Sequence, residues 1–443
     1  MYAGPQAAGE LAAKIDSEQA TIAVIGMGYV GLPLALAYAE RGFPVIGLDV
    51  DPKKVEILQA GRCYIQHIGA ERIQAATRGG CFRSSDDFDL LGEADVVLIC
   101  VPTPLSVQRD PDLSYVRSSA ESIRDRLRPG QLIVLESTTY PGTTDELVRS
   151  VLDARGLALG SEYFLAFSPE REDPGNPDYS TTTIPKVVGG SEPHSGDLAE
   201  ALYRKIVGNV VRVSSAAAAE ATKLTENIFR AVNIALVNEL KVIYEHMGVD
   251  IWEVLDAAAT KPFGFMRFNP GPGWGGHCIP LDPYYLAWKA REYGLDTHFI
   301  ELAGQINRSM PRYALERLQL ALNGRGRALR GSRVLVLGMA YKKNVGDTRE
   351  SPSFEIMKLL HAHGASVEYH DPFVPELPQT RNWPGHPAMS SLPLTAATLA
   401  RQDAVMLVTD HTDVDYDLVR EHAPLIVDTR GVYRGSDPNV IRA

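Results

Sequence analysis

Short apolar runs that alternate with helical stretches limit what this chain of 443 residues can fold into more than any other feature. "TIAVIG", "PVIGLDV", "DVVLICV", "QLIVLES", "YFLAFS", "KVVGG" and "VVRV" follow one another between Thr21 and Val213. Each has the length and apolar content of a buried strand, and stretches such as Ser114 to Leu127 and Thr143 to Arg155 read as helices between them. Alternation of this kind predicts an α/β domain with a parallel, doubly wound sheet.

The pattern then changes. "SAAAAEATKLTENIFRAVNIALVNELKVIYEHMG" contains no glycine or proline before its final Gly248, and its leading serine suits an N-cap, so a long helix is expected. More helices follow to about residue 315. From Arg333 the alternation returns in "RVLVLGMAY", "SVEYHDP", "AVMLVTD" and "LIVDTRG". The expected organisation is a tail over 1–20, an α/β domain over 21–213, a helical segment over 214–315 and a second α/β domain over 316–443. A chain of this length holds roughly three domains of about 150 residues.

Composition narrows the function. Hydrophobic residues make up 45% and charged residues 22%, the balance of a soluble globular protein. A net charge of −11 argues against sequence-independent nucleic-acid binding, while leaving room for a local basic pocket. Cys63, Cys81, Cys100 and Cys278 are scattered without CxxC spacing, so no metal site or disulfide framework is indicated and a reducing cytoplasm fits. The first twenty residues lack the basic and apolar regions of a signal peptide. Thr21 to Ala39 is uncharged and nearly long enough to span a membrane, but its glycines and Pro33 fit a strand, a turn and a helix better, so no membrane partner is expected.

"GMGYVG" puts Gly26, Gly28 and Gly31 in G-x-G-x-x-G spacing, between a predicted strand and a predicted helix. The first glycine makes the turn, the second admits a pyrophosphate and the third lets helix and strand pack closely. Amides at the helix N-terminus then face the phosphates. Asp49 closes the second strand about twenty residues on, where a carboxylate accepts from ribose hydroxyls and repels a 2′-phosphate, which favours NAD over NADP. Lys54 lies nearby and softens that preference without reversing it. The fold class expected is therefore α/β, with two Rossmann-like doubly wound parallel-sheet domains bridged by a long central helix and a helical segment.

Other residues carry chemistry of their own. Lys223 and Asn227 are four apart in the long helix and share a face. Glu170 in "FSPERED" and Thr139 in "ESTTYPGT" each follow a strand of the first domain, at the end where doubly wound sheets hold ligands. "NPGPGWGGHCIPLDPYY", Asn269 to Tyr285, sets Cys278 among glycines and prolines, as in a rigid irregular loop.

In this order, GxGxxG, "STTYPGT", "SPE", "KLTEN", "GGHCIPLDP" and "GMAYKKNVGDTRES" resemble the nucleotide-sugar 6-dehydrogenases, the UDP-glucose/GDP-mannose dehydrogenase family. The resemblance covers nearly the whole chain beyond the first twenty residues. "SPEREDPGN" and "PGPGWGGHCIPLDPYYLAWKAREYG" look most like its UDP-N-acetylglucosamine 6-dehydrogenase branch. It implies a four-electron oxidation of the sugar C6 alcohol to a carboxylate, using two NAD and one water. Cys278 matches the nucleophile that forms a thiohemiacetal and then a thioester. Lys223 and Asn227 match oxyanion stabilisers, while Glu170, Thr139 and Asp282 match residues that order or activate water. His277 reads as loop structure first and acid–base helper second.

The resemblance further assigns Tyr29, Val30, Thr103, Thr139, Lys54 and Arg349 to the cofactor. It assigns Arg171, Arg267, Gly275, Tyr341, Lys342 and Arg430 to the substrate, together with Glu170, Lys223 and Asn227. The cations suit UDP phosphates. Two departures stand out. "REDPG" after Glu170 lacks a second glutamate four residues on, so Glu172 or Asp173 does not inherit its role. The arginine that reaches a neighbouring subunit's substrate has only Lys261 and Arg267 as candidates. The resemblance implies a UDP-sugar substrate, a homodimer or higher homo-oligomer through the central helix, a cytoplasmic site and surface-polysaccharide precursor synthesis. UDP-N-acetylmannosamine, UDP-glucose, GDP-mannose and the galacto epimer stay open as substrates. A two-electron hydroxyacid dehydrogenase and a non-catalytic NAD-binding scaffold are the rival readings.

Overall fold

Eight strands form the first sheet: β1 (Ile22–Ile25), β2 (Val45–Leu48), β3 (Phe82–Ser85), β4 (Val96–Ile99), β5 (Gln131–Leu135), β6 (Tyr163–Phe167), β7 (Lys186–Gly190) and β8 (Val210–Arg212). The structure is a computed structural model that describes residues 5–65, 68–106, 110–171, 182–276, 279–380, 383–435 and 437–443. Strand order is β3-β2-β1-β4-β5-β6-β7-β8. The order reverses between β1 and β4, which makes the switch point where such sheets bind ligands. β1, β2, β4, β5 and β6 are buried throughout, as their unbroken apolar runs require when helices cover both faces.

Two details differ from expectation. β3 is an edge strand whose residues alternate between buried and exposed, so "FRSS" carried too little apolar signal to be read as a strand. β7 pairs antiparallel with β6, with Ala166 opposite Gly190 and Phe167 opposite Gly189, so the sheet is not wholly parallel. All its other pairs are parallel.

The N-terminal segment, expected as a tail, forms the helix Gln6–Asp16. Ala8, Leu11, Ala12 and Ile15 recur at helical spacing and are buried in the same apolar core as β1 and the helix Pro193–Tyr203. Lys14 adds an ion pair to Asp95 at 2.8 Å. Small alanines hid this face in the sequence.

The second sheet contains β9 (Arg333–Leu337), β10 (Ser366–His370), β11 (Ala404–Leu407), β12 (Ile426–Asp428) and β13 (Val440–Arg442), in the order β10-β9-β11-β12-β13 and all parallel. β13, three residues at the edge, was not expected from the sequence. Apolar clusters fill both faces of each sheet. The helix Ala216–Met247 lies between the sheets in sequence, and Ser215 Oγ accepts from the Ala218 amide at 3.1 Å, the N-cap its position suggested. Helices Ile251–Ala258, Asp282–Glu292 and His298–Gly324 follow.

The chain divides into two compact units, Met1–Glu226 with Tyr284–Gly294, and Asn227–Pro283 with Leu295–Ala443. Among the described residues no helix is long and apolar enough to cross a membrane. Truncating a core residue of the N-terminal helix tests whether it is structural: Ile15→Ala should lower unfolding free energy by about 2–4 kcal/mol, read from the denaturant midpoint. A midpoint within error of the wild type would return the segment to a dispensable tail.

Candidate active site

The glycine loop leaves β1 and enters the helix Gly31–Arg41. Gly26 has φ +93°, and a Cβ there would meet Cys100 O at 2.6 Å; a Cβ on Gly31 would meet Gly26 O at 1.9 Å. The chain itself therefore demands two of the three glycines. A Cβ at Gly28 would meet nothing within 4 Å, so its missing side chain leaves open space at the turn. The helix N-cap, Val30, supplies no side-chain hydrogen bond to the first amides, and Tyr29 is exposed beside it. A turn with free space at a helix N-terminus that no side chain caps suits a pyrophosphate.

Asp49 is buried after β2 and already accepts three bonds. Oδ2 takes the Met27 amide at 2.8 Å and Lys54 Nζ at 3.0 Å, and Oδ1 takes the Asp51 amide at 3.0 Å. A carboxylate offers about four acceptor positions, so one remains for a ribose hydroxyl rather than two. Lys54, softening the charge in the sequence reading, is ion-paired to this carboxylate.

Thr103 follows β4 and Thr139 follows β5. Thr103 Oγ1 donates to Thr138 O at 2.7 Å, and the Tyr285 hydroxyl donates to Thr103 O. Thr139 Oγ1 is buried and has no hydrogen-bond partner among the described residues. A buried hydroxyl without a partner costs about 1–3 kcal/mol, a cost that a ligand or water would remove. The loop, Asp49 and these two threonines together fit NAD.

Glu170 follows β6 and is held from two sides. Its Oε1 accepts the Arg171 amide at 2.6 Å, and its Oε2 accepts from Lys186 Nζ at 3.3 Å. Lys186 also donates to Glu136 Oε2 at 2.7 Å, and the Tyr203 hydroxyl donates to Glu136 Oε1. Burial alone would lower the Lys186 ammonium's pKa, but the carboxylates of Glu136 and Glu170 outweigh it and hold the lysine well above its usual range. Neither Glu136 nor Lys186 was singled out in the sequence. Arg171 is tied to Glu226 at 3.2 and 2.5 Å and to Pro185 O at 2.6 Å. Glu172 and Asp173 lie outside the described residues.

In the long helix, Lys223 and Asn227 are both buried, so their shared face is not a solvated stripe. Asn227 Nδ2 donates to Asp282 Oδ2 at 2.6 Å, joining two residues singled out in the sequence. The glycine–proline loop between them is pinned at three points. The Gly271 amide donates to Asn238 Oδ1 at 2.9 Å, the Gly276 amide to Arg349 O at 3.0 Å, and Asp282 is held by Asn227. Asn238 is itself fixed by Asn307 Oδ1 at 2.8 Å, both residues being wholly buried. Sequence reading missed this asparagine pair, whose only signal is a polar residue on an apolar helical face. His277 and Cys278 lie outside the described residues.

Around the second sheet, Gly275 packs on Tyr341, where an added Cβ would meet Tyr341 Cβ at 2.6 Å. The Tyr341 amide donates to Asp347 O at 3.0 Å, Lys342 beside it is partly buried, and Arg349 pairs with Asp347 at 2.6 Å. Arg430 Nε donates to Val408 O at 2.6 Å, and its Nη1 lies 2.6 Å from where a Cβ on Gly271 would be. Gly271, Gly275 and the second-sheet residues Tyr341 and Arg430 are thus brought together. Arg267 is not among them: it is bound to Asp256 and to Asn269 Oδ1. Lys261 lies over the Phe263 ring at 5.0 Å.

A glycine turn at the switch point of a doubly wound sheet, followed by a helix N-terminus, marks a dinucleotide-binding domain. Comparison with known proteins gives the family. Residues 20–207, 217–309 and 335–435 match in turn the NAD binding, central and UDP binding domains of the UDP-glucose/GDP-mannose dehydrogenase family. The chain is 36% identical over 355 residues to UDP-N-acetyl-D-glucosamine 6-dehydrogenase of Pseudomonas aeruginosa, covering 80% of this chain and 83% of the relative. It is 34% identical to NDP-N-acetyl-D-galactosaminuronic acid dehydrogenase of Ralstonia nicotianae, covering 95% and 97%. A solved UDP-D-ManNAc dehydrogenase from Pyrococcus horikoshii superposes with a TM-score of 0.86 at 31% identity, covering 95% of this chain and 98% of that one. The chain belongs to the UDP-glucose/GDP-mannose dehydrogenase family and is an NAD-dependent nucleotide-sugar dehydrogenase.

Lys54 offers a test of cofactor choice. Its ammonium offsets the Asp49 carboxylate that would repel a 2′-phosphate, so Lys54→Ala should raise the NAD to NADP ratio of kcat/KM. A partly exposed pair contributes about 0.5–1 kcal/mol, which corresponds to roughly two- to fivefold. A lower ratio would show that the lysine serves NAD itself.

Lys241, also missed in the sequence, is buried with no hydrogen-bond partner for Nζ among the described residues, over the Tyr313 ring at 5.7 Å. Burial, and next the Arg430 charge, lower its pKa to about 7. The unfolded chain then binds the extra proton between about pH 7 and the ordinary lysine value of 10.5, so this lysine's contribution to stability falls as pH drops through that window. Lys241→Met should flatten the decline between pH 9.5 and 6.5 by a few kcal/mol and be more stable than wild type at pH 6.5. Chemical denaturation at the two pH values measures it, and an unchanged slope refutes the assignment.

Proposed function

We propose that this chain oxidises the C6 alcohol of UDP-N-acetyl-D-glucosamine to the carboxylate, through a covalent intermediate on Cys278, in cytoplasmic synthesis of surface-polysaccharide precursors. Residues 21–213 bind NAD, 214–315 carry the cysteine loop and 316–443 bind the UDP-sugar. The observation that carries the reading is the buried Asn227–Asp282 bond, which ties the end of the loop to the helix bearing Lys223. It supports a rigid mount for a nucleophile just ahead of Asp282.

Gly26, Gly28, Gly31 and Asp49 would hold NAD, which would supply the hydride acceptor for both oxidations of C6. After the first, the Cys278 thiolate adds to the C6 aldehyde and forms a thiohemiacetal. Lys223 and Asn227 stabilise the developing oxyanion, each donor contributing on the order of 3 kcal/mol. The second oxidation leaves a thioester, whose thiolate departs readily when water attacks. Thr139, Glu170 and Asp282 order that water; the partnerless hydroxyl of Thr139 supports this role. Tyr341, Lys342, Arg430, Gly275 and Arg171 hold the nucleotide sugar.

Relatives named for 2-acetamido sugars support an N-acetylated substrate. Phe229, Leu236 and Ile243 recur every seven residues along the long helix and are 49%, 50% and 44% exposed, which supports a homodimer through that face.

End-point absorbance with limiting sugar should give two NADH per molecule, and Cys278→Ala should stay folded yet form no acid. A yield of one, or acid from the alanine variant, would falsify the thioester route. In a panel of nucleotide sugars, a kcat/KM about tenfold higher for UDP-glucose or GDP-mannose, worth about 1.4 kcal/mol, overturns the sugar assignment alone.

A further inference from the structure

The reversal of β7 has a chemical consequence. In a parallel arrangement the first residue of β7 would lie at the edge opposite the carboxyl end of β6. The antiparallel register instead continues from Phe167 opposite Gly189 to put Glu170 opposite Lys186, three residues beyond. Glu136 follows β5 directly, so two carboxylates and one ammonium meet at the same edge.

The three groups are not equivalent. The Glu136 and Lys186 side chains are 0% and 5% exposed, whereas that of Glu170 is 13% exposed. Glu136 spends one oxygen on the Tyr203 hydroxyl and the other on Lys186 at 2.7 Å. It is an anchor, out of reach of any substrate. The ammonium so anchored reaches Glu170 at a longer 3.3 Å.

We propose that Lys186 is a positioning residue for thioester hydrolysis, its ammonium fixed by Glu136 so that it orients the Glu170 carboxylate toward the attacking water. This rests on the function proposed above. In that step the water oxygen bonds to the C6 carbonyl carbon while a water proton passes to Glu170. The C6–sulfur bond then breaks, and its electron pair returns to Cys278 as thiolate. No oxidant or reductant is needed.

A tethered cation serves this step in two ways. It keeps the carboxylate in one rotamer, and it favours the ionised form able to take a proton. The other titratable groups facing the cluster come from separate elements. Cys100 after β4, Tyr38 in the helix Gly31–Arg41 and Tyr203 all have their pKa raised by burial first, and so remain neutral near pH 7. Arg171 is already committed to Glu226. Lys186 is thus a buried cation that the structure holds directly against the Glu170 carboxylate.

Lys186→Met alone would strand Glu136 as a buried charge, so the test is the double variant Lys186→Met/Glu136→Gln, with Lys186→Arg as the conservative control. Substrate would be UDP-N-acetylglucosamine with NAD, followed by rapid mixing and intact-protein mass. The double variant should release its first two NADH at the wild-type rate and then turn over about ten- to hundredfold more slowly. A sugar acyl adduct should accumulate on Cys278, and the acid limb of kcat should move to higher pH, because the nearer of the two charges lost is the cation. Lys186→Arg should keep wild-type turnover. A folded double variant with wild-type kcat and pH profile overturns the proposal. Equal slowing of all phases without an adduct also overturns it, since that is the signature of a structural role. If the wild type itself yields one NADH, the four-electron reading falls and this proposal with it; if it yields two and only the adduct is missing, the proposal falls alone.

Discussion

Strand direction in the first sheet is the constraint on which the nucleotide cradle and the candidate site residues depend. Parallel pairing of β1, β4, β5 and β6 brings their carboxyl ends to one edge, and the residues that follow them are Gly26, Thr103, Thr139 and Glu170. None of these is near the others in sequence. One antiparallel strand then adds what four parallel ones lack, a cation delivered by the start of a strand rather than its end. The departure from a uniform sheet supplies the cluster with its positive charge.

The glycine–proline stretch, described over 269–276 and 279–282, obeys a different rule. It has little regular structure, so its position is set by a few buried polar contacts: Asn238 at Gly271, the Arg349 carbonyl at Gly276 and Asn227 at Asp282. Buried amides that lose a partner cost about 1–3 kcal/mol each, so any shift of the loop that breaks one is resisted. Gly275 and Gly276 let the backbone lie against Tyr341, where side chains would collide. Rigidity here comes from polar pinning and close backbone approach rather than from a helix or sheet.

These two mechanisms explain what the sequence revealed. Buried parallel strands announce themselves as apolar runs, and the glycine spacing announces the nucleotide turn, so the architecture and the cofactor were legible. β3 was not, because an edge strand need not be apolar, and β13 was not, because three residues are too few to show a pattern. The N-terminal helix was missed because its buried face is half alanine. The antiparallel turn of β7 was invisible for a deeper reason: "KVVGG" has the same composition whichever way it runs. Asp49 was read as an acid closing the second strand and does directly follow β2, but its burial and its bonds to Met27, Asp51 and Lys54 depend on geometry that spacing does not encode. Arg267 was singled out for its charge, and its charge is used on Asp256.

Lys186 and Lys241 show the limit most clearly. Both are buried lysines, and desolvation pushes the pKa of each downward. For Lys186, carboxylates fifty and sixteen residues away in sequence reverse the push, and the ammonium becomes a fixed cation. For Lys241, Arg430 adds to the push, and Asp428 and Glu245 do not undo it. The Asp428 carboxylate already accepts the amides of Arg430, Gly431 and Tyr433, and Glu245 is paired with Arg317. The same residue type is thus a permanent charge in one setting and a titrating one in the other. What decides between them is whether a long-range contact brings a carboxylate that has acceptor capacity to spare.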